Sequence, residues 1–138
     1  MLGRTPERLL QVAIAVIERG GRILIARRHR RDDDHIGGLW EFPGGKRHVG
    51  ESWDACLRRE VREELGVSLG RLRPMGLLRH RYPTHRVVCC VFRCAIASGR
   101  PKPLTAQLLR WVPTRRLARY TFPAANASLV TRLAGGRL

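Results

Sequence analysis

The chain has 138 residues, a length that suits one folded domain with a substantial core and is too short for two. Its apolar fraction of 43% is ordinary for a globular protein and argues against general disorder. Twenty-seven basic residues against eleven acidic ones give a formal net charge of +16, which favours anionic partners such as nucleotides or nucleic acid.

The charge is distributed unevenly along the chain. No acidic residue follows Glu64, and six of the eleven acids lie between Glu41 and Glu64. Because all but two of the basic residues are arginine, a coding preference for arginine is a second explanation of the surplus. We expect that preference to act together with a nucleotide substrate, and we expect only weak, non-specific binding of nucleic acid.

The cysteines and the hydropathy indicate the compartment. Cys89, Cys90 and Cys94 lie in one apolar run, Cys56 stands apart, and none forms a Cys-x2-Cys pair. Small buried side chains in a reducing environment explain them better than zinc or disulfides. No apolar stretch approaches the length of a membrane span, and the start lacks a secretory core segment. We therefore expect a cytoplasmic protein without a membrane partner.

The N-terminal third is predicted to hold a hairpin and a short strand. Residues 1–9 are expected to be flexible. Two β-rich runs then flank Gly20-Gly21, a pair typical of a tight turn. Residues 30–38 carry five charges and two glycines and are expected to form a loop. The strands predicted in the whole chain are residues 11–18, 22–28, 39–42, a strand-like stretch at 67–80, the most apolar run at 86–97, and 108–112.

Two helices are predicted. One begins after Ser52, a favourable N-cap, and runs through Leu65, where Gly66 is placed to end it. The other begins after Pro123. Their apolar stripes are Ala55, Cys56, Val61 and Leu65 in the first helix, and Leu129, Val130 and Leu133 in the second.

Three carboxylates share one face of the first helix. Glu60, Glu63 and Glu64 stand at i, i+3 and i+4, so their side chains are neighbours and repel one another. A hard divalent cation relieves that repulsion and prefers carboxylate oxygens. The cluster therefore predicts a Mg²⁺ site, with Mn²⁺ as a possible substitute. The alternative is a solvated helix face on which neighbouring arginines balance the charge.

The segment that carries these carboxylates resembles the Nudix box. The box reads Gly-x5-Glu-x7-Arg-Glu-U-x-Glu-Glu-x-Gly-U, where U is a bulky aliphatic residue, and residues 45–67 match every fixed position. The resemblance implies one Nudix hydrolase domain over residues 1–138. It also implies an α+β fold of the Nudix type, an α/β/α sandwich with a mixed sheet between helices.

The resemblance also implies roles for the residues of the box. Glu60, Glu63 and Glu64 bind the metal, together with the carbonyl of Gly44. Glu51 steadies Arg59 or binds metal more loosely, and Arg59 is a structural clamp. The general base is one of the box glutamates, and the choice among them stays open.

Two flanking stretches, Leu39–Lys46 and Thr121–Asn126, resemble the MutT-type subgroup of this family. The resemblance implies hydrolysis of a nucleoside triphosphate, preferably one like 8-oxo-dGTP, to a monophosphate and pyrophosphate, with attack on the β-phosphorus. The substrate-binding residues that it implies are Arg28, Phe42, Tyr82 and Asn126.

Each substrate-binding assignment has a structural alternative. Asn126 offers a donor and an acceptor for a purine edge, but it could instead cap the last helix. Arg28 could be an exposed strand residue and Phe42 a core residue. For Tyr82 we favour the alternative role of anchoring a loop.

One departure from the subgroup concerns the loop before the last strand. Relatives of the MutT type often carry an acid there, and this chain has Thr105. A metal ligand or base from that loop is therefore missing. Two other functions stay open: pyrophosphohydrolysis of another nucleotide such as a cytidine triphosphate, and non-catalytic reading of damaged bases, as in the C-terminal domain of MutY.

Overall fold

The computed structural model of the protein describes residues 8–30 and 38–136. The loop predicted at residues 30–38 therefore lies almost wholly outside the described residues, as do residues 1–7 of the N-terminal segment.

The described residues form nine strands, two α-helices and two 3₁₀ turns. The strands are β1 (Arg8–Arg19), β2 (Arg22–Arg27), β3 (Trp40–Glu41), β4 (Gly44–Lys46), β5 (Ser68–Leu69), β6 (Arg73–Arg81), β7 (His85–Cys94), β8 (Ile96–Ser98) and β9 (Leu108–Pro113). The helices are α1 (Trp53–Leu65) and α2 (Ala127–Ala134), and the 3₁₀ turns are Thr114–Arg119 and Ala124–Asn126.

Seven of the strands form one mixed sheet. Its order is β3-β2-β1-β7-β6, with β4 beside β1 and β9 beside β2, while β5 and β8 form a separate pair. The pairing of β1 with β7 is parallel and the other pairings are antiparallel. The mixed sheet that the family resemblance implies is therefore confirmed.

The two helices cover opposite faces of this sheet. Residues Ala13 to Ile17 of β1 are buried without interruption, because helices pack on both sides of the strand. The face of Ala13, Ala15 and Ile17 packs with α1, and the face of Ile14 and Val16 packs with α2. Alternation along a strand thus divides the core into two layers, as the predicted α/β/α sandwich requires.

The ends of α1 lie where the sequence predicts them. The Ser52 hydroxyl accepts a hydrogen bond from the backbone N–H of Ala55 at 3.1 Å. Gly66 adopts a left-handed conformation with φ of 71° and donates its N–H to the carbonyl of Arg62, a turn that a residue with a β-carbon adopts at a cost.

The predicted apolar stripe of α1 was wrong at one position. Leu57 is buried, whereas Ala55 is exposed. Leu57, Val61 and Leu65 stand four residues apart and share a face, whereas Ala55 points away from that face because it lies two residues before Leu57.

Four strand boundaries also differ from those predicted, the first of them being the stretch at 67–80, which is divided between β5 and β6. β1 begins at Arg8, inside the segment expected to be flexible, because it pairs with β7 from Arg8↔His85 onward. The stretch expected to end a strand at Pro43 continues as β4, which pairs with β1. The apolar run at residues 86–97 is divided between β7 and β8.

All four cysteines are buried with free thiols, as expected. Burial raises the pKa of Cys94 to about 12, so that this thiol stays protonated. Within the described residues, neither helix is long and apolar enough to cross a membrane.

The capping hydrogen bond of Ser52 gives the first prediction. Ser52→Ala removes the acceptor for the Ala55 N–H, and we expect a loss of about 1 kcal/mol in the free energy of unfolding. Ser128→Ala, at an exposed position inside α2, is the control, and urea denaturation measures both. Equal losses of unfolding free energy in the two variants would show that the capping hydrogen bond of Ser52 makes no contribution of its own to stability.

Candidate active site

Strand β4 brings a glycine pair between the central strand and α1. Gly44 has φ of 146°, and a β-carbon there would overlap the backbone carbonyl oxygen of Ala13. A β-carbon on Gly45 would overlap the carboxylate of Glu60. Only glycine therefore lets this backbone lie directly against the acidic face of the helix.

Arg59 fastens the segment after β4 to α1. Its Nε and Nη2 donate to the two carboxylate oxygens of Glu51 at 2.7 and 2.8 Å, a bidentate pair that fits the planar guanidinium. Nη2 also donates to the carbonyl of Lys46 at 3.0 Å. The pairing of Glu51 with Arg59 is the steadying contact that the family resemblance implies.

The pairing with Arg59 also fixes the charge of Glu51. Hydrogen bonds from the Arg59 side chain and then from the His48 N–H lower the pKa of Glu51 from 4.5 to about 2. The Glu51 carboxylate is therefore a weak proton acceptor near neutral pH. Among the box glutamates it is the one least suited to act as a general base.

Glu60 and Glu63 share the remaining hydrogen-bonding capacity of Arg59. Its Nη1 donates to Glu60 at 2.8 Å and lies 3.4 Å from a carboxylate oxygen of Glu63. The Glu60 side chain is 16% exposed and the Glu63 side chain 58% exposed. Glu60 therefore lies inside the site, under Gly45, whereas Glu63 reaches into solvent.

Glu64 is the most enclosed carboxylate of the three. Its Oε2 accepts the backbone N–H of Gly44 at 3.2 Å. Burial raises the pKa of Glu64 to about 8, and the nearby charges of Glu41 and Glu60 add to that effect against the Gly44 hydrogen bond. Ionised Glu64 would therefore be stabilised by an added positive charge.

The set of donors suits a hard divalent cation, although the side chains do not converge on one point. Across residues 8–30 and 38–136, no three acidic, His or Cys side chains stand close enough together to hold a metal ion. Arg59 accounts for this arrangement, because it draws Glu60 and Glu63 toward its guanidinium. Three carboxylates on one helix face beside a glycine backbone remain a chemically suitable oxygen set.

A cavity of about 270 Å³ reaches the glycine pair of β4. The four side chains that the resemblance implies for substrate binding, Arg28, Phe42, Tyr82 and Asn126, all line it. Its apolar wall is formed by Leu10, Val12, Ile14, Val87 and Cys89. Gly44, Gly45 and Lys46 also line it, so that the cavity extends from the C-terminal segment to the glycine backbone that lies against Glu60 and Glu64.

Asn126 lines the cavity on the side formed by the C-terminal segment. It is only 9% exposed, and it precedes α2 at the N-cap position without making a side-chain capping hydrogen bond. The capping alternative for Asn126 is therefore wrong as far as the side chain is concerned. Its amide lines the cavity and has both a donor and an acceptor to offer.

Phe42 and Tyr82 hold the cavity in shape. Phe42 is 4% exposed and stacks on Phe122 with ring centroids 5.0 Å apart, so it belongs to the core as well as to the wall. The Tyr82 hydroxyl accepts the backbone N–H of Ala125 at 3.0 Å. This contact ties the turn after β6 to the residue before Asn126 and is the anchoring role favoured from the sequence.

Sequence reasoning missed Glu41 as a residue of this site. Its carboxylate accepts a hydrogen bond from Arg28 Nη1 at 3.2 Å and lines the same cavity. A smaller cleft beyond it brings Arg28, Glu41 and Glu64 together with Thr105. Thr105 thus lies beside the carboxylates, and Glu41 is an acid at the same cleft. An acid between two aromatic residues, three positions before Gly44, was the available signal.

Comparison with known proteins agrees with this geometry. The family model of the NUDIX domain matches residues 12–132. The 8-oxo-dGTP diphosphatase of Haemophilus influenzae is 30% identical over 128 residues, which cover 92% of this chain and 93% of that protein. The CTP pyrophosphohydrolase of Escherichia coli K12 is 48% identical over 60 residues, which span 44% of this chain and less than half, 43%, of that protein.

A solved structure shares the whole fold. The MutT NUDIX hydrolase of Burkholderia pseudomallei superimposes with a TM-score of 0.77 at 26% identity, covering 91% of this chain and 98% of that one. The family match, the Haemophilus influenzae relative and the shared fold rest on nearly the full length of the chain. The chain therefore belongs to the NUDIX family and is a hydrolase of the MutT type.

Proposed function

We propose that the protein hydrolyses a nucleoside triphosphate to the monophosphate and pyrophosphate, and that its preferred substrate is an oxidised guanine nucleotide such as 8-oxo-dGTP. One observation carries the proposal: a largely apolar cavity with Asn126 on its wall reaches Gly44 and Gly45, whose backbone lies against Glu64 and Glu60 of α1. A base bound at Asn126 places its phosphates toward Gly44 and Gly45. The 8-oxo-dGTP diphosphatases among the relatives support the same choice.

In this proposal the two ends of the cavity bind different parts of the nucleotide. At the base end, the Asn126 amide bonds to the O6 and N7 edge of the purine, while Phe42 and Tyr82 bound the space around the ring. At the phosphate end, Arg28 supplies positive charge beside Glu41. The mainly apolar walls exclude water from the base, which strengthens each polar contact there.

Glu60, Glu63 and Glu64 would hold Mg²⁺ or Mn²⁺, with Gly44 contributing backbone next to them. Such an ion neutralises phosphate oxygens and favours attack by water. Arg59 and Glu51 act by position: they fix the β4–α1 connection against the helix and so keep Glu60 under Gly45. With the pKa of Glu51 lowered to about 2, the general base is one of the other three glutamates.

A cytidine triphosphate is the second candidate substrate, and Glu41 is the observation that favours it. A carboxylate accepts a hydrogen bond from the exocyclic amine of cytosine, and Glu41 lines the cavity. The stretch shared with the CTP pyrophosphohydrolase points in the same direction. In either case we propose a role in clearing unwanted nucleotides from the cytoplasmic pool. A non-catalytic reader of damaged bases is disfavoured by the intact box.

Substrate choice is tested at Asn126. Asn126→Ala should cost roughly 1–3 kcal/mol of binding to the oxidised guanine nucleotide, about ten- to a hundredfold, because a polar contact in a partly dry pocket is lost. The measurement is kcat/KM for 8-oxo-dGTP, dGTP and dCTP. We expect the kcat/KM values for the three nucleotides to become more alike, while the variant still hydrolyses triphosphates.

The matched control is Tyr82→Phe, which removes the hydroxyl that accepts the Ala125 N–H and leaves the ring in place. This variant should lower kcat/KM for all three nucleotides to a similar extent, since it loosens the segment around Ala125 without changing the Asn126 amide. An unchanged ranking in Asn126→Ala contradicts base reading by this residue. A wild-type preference for dCTP contradicts the 8-oxo-dGTP proposal and supports the second candidate.

The metal is tested at the carboxylates. Glu63→Gln and Glu64→Gln keep the side-chain shape and remove the charge, and each should lower kcat on the order of 100-fold at fixed Mg²⁺. Asp54→Asn is the control, because Asp54 is an exposed acid on the same helix. Full turnover in excess EDTA, or wild-type rates in both Gln variants, is incompatible with the proposed role.

The raised pKa of Glu64 predicts how stability depends on pH without divalent metal. Its pKa rises from 4.5 unfolded to about 8 folded, so the native state binds the proton more tightly. The stabilisation is complete below pH 4.5 and is lost as the pH rises through 8, by roughly 3–5 kcal/mol. Glu64→Gln should remove this loss.

The measurement is denaturant unfolding in EDTA at pH 5, 6.5 and 8.5 for wild type and Glu64→Gln. The informative quantity is the difference between the two proteins at each pH, because other groups titrate in both. A difference that stays constant with pH would show that Glu64 is ionised throughout.

A further inference from the structure

A second concave surface is separate from the cavity just described. It is a cleft of about 400 Å³ beside the turn between β1 and β2, and we name it the arginine cleft. Its lining residues are Glu18, Arg19, Gly20, Gly21, Arg71, Arg73, Arg93, Cys94 and Ala95. Along β1, Glu18 of the cleft is four residues from Ile14, which lines the first cavity, a separation of roughly 13 Å at the rise of a β-strand.

The charge of this cleft is strongly one-sided. Four guanidinium groups line it, and Glu18 is the single carboxylate among the described lining residues. Glu18 is already engaged, because Arg93 Nε donates to its Oε2 at 2.8 Å. The cleft therefore presents an excess of positive charge to solvent.

Two of the arginines are held in place by other side chains. The guanidinium of Arg19 lies over the ring of Trp111 at 4.7 Å from the centroid, and Arg93 is held by Glu18. Fixed arginines lose less conformational freedom when they bind an anion than free ones do. The cleft is in this respect partly organised before any ligand arrives.

The sheet places two arginines directly opposite each other. Arg73 of β6 pairs with Arg93 of β7 across the antiparallel ladder, and like charges at such a position destabilise a sheet. An anion bound between them removes that repulsion. The same ladder also pairs Arg81 with Arg86 outside the cleft, so the Arg73–Arg93 pair adds to the positive charge of the cleft without being unique to it.

We propose that the arginine cleft binds the phosphate groups of a nucleic-acid backbone. None of the described residues that line it is aromatic, and the ring of Trp111 is covered by Arg19. A base therefore has no stacking surface there, so phosphates alone are recognised, without sequence preference. This site lies beyond the proposed hydrolysis, since none of its residues belongs to the catalytic constellation.

The test measures binding of a fluorescent ten-nucleotide oligothymidylate by anisotropy between 20 and 200 mM NaCl. Arg71→Ala/Arg73→Ala removes two exposed charges from the cleft. We expect at least about a tenfold loss of affinity at 50 mM NaCl, and a slope of log affinity against log salt that is smaller by about 1.4, or 0.7 per phosphate contact on a single strand.

The control is Arg100→Ala/Arg119→Ala, which removes the same charge from exposed positions outside the cleft. This control should lose less than about threefold in affinity for the oligonucleotide, and it should keep most of the slope of log affinity against log salt. Arg71→Glu reverses the charge at a single exposed position and should weaken binding at least as much as the double variant. Thermal melts and nucleotide hydrolysis should be unchanged in all three.

Equal losses in the cleft and control variants overturn the proposal, because they would reflect net charge alone. Selective binding of one oligonucleotide sequence overturns it as well. Inorganic tripolyphosphate distinguishes a free polyanion from a nucleic acid. If tripolyphosphate binds in a manner that depends on Arg71 and Arg73 while the oligonucleotide does not bind, the cleft is a polyphosphate site and the nucleic-acid assignment is wrong.

Discussion

The fit of β4 between β1 and α1 is the constraint on which the rest of the site depends. On one side Gly44 touches the backbone of Ala13, and on the other Gly45 touches the carboxylate of Glu60. A β-carbon on Gly44 would overlap the backbone of β1, and a β-carbon on Gly45 would displace the carboxylate of Glu60. This close approach lets the Gly44 N–H reach Glu64, and it brings the acidic helix face to the end of a cavity lined by the opposite layer of the core.

Arg59 adds ion pairs and hydrogen bonds to this close packing of β4 against α1. A helix face with three carboxylates is unfavourable by itself, and the guanidinium offsets part of that repulsion while it fastens Glu51 and the Lys46 carbonyl. Glu64 lies outside the reach of those hydrogen bonds, so burial dominates and raises its pKa to about 8. Glu51 and Glu64 therefore have opposite pKa shifts within one motif, the first because it is paired and the second because it is enclosed.

The parts of this structure that could be predicted from sequence depend on local chemistry. Ser52 and Gly66 mark the ends of α1 because capping involves neighbours in the chain, and the Gly20-Gly21 turn fixes the first hairpin for the same reason. β4 was missed because a three-residue strand forms only by pairing with β1, some thirty residues earlier in the chain. Glu41 was missed because its importance arises from Arg28 and Glu64, which the sheet and α1 bring beside it. The box showed the acidic face, but only the fold shows that Arg59 draws two of its members aside.

The two charged regions of the molecule act independently at physiological salt. The Debye length there is about 8 Å, whereas the arginine cleft and the first cavity are separated by roughly 13 Å along β1, between Glu18 and Ile14. The phosphates of a substrate therefore experience the carboxylates of α1, Arg28 and any bound cation far more than the remote arginines. The net charge of +16 increases the rate of encounter with anions only at low ionic strength. Loss of the remote arginines should therefore leave hydrolysis intact, and a ligand in the cleft can be held without competing for the catalytic carboxylates.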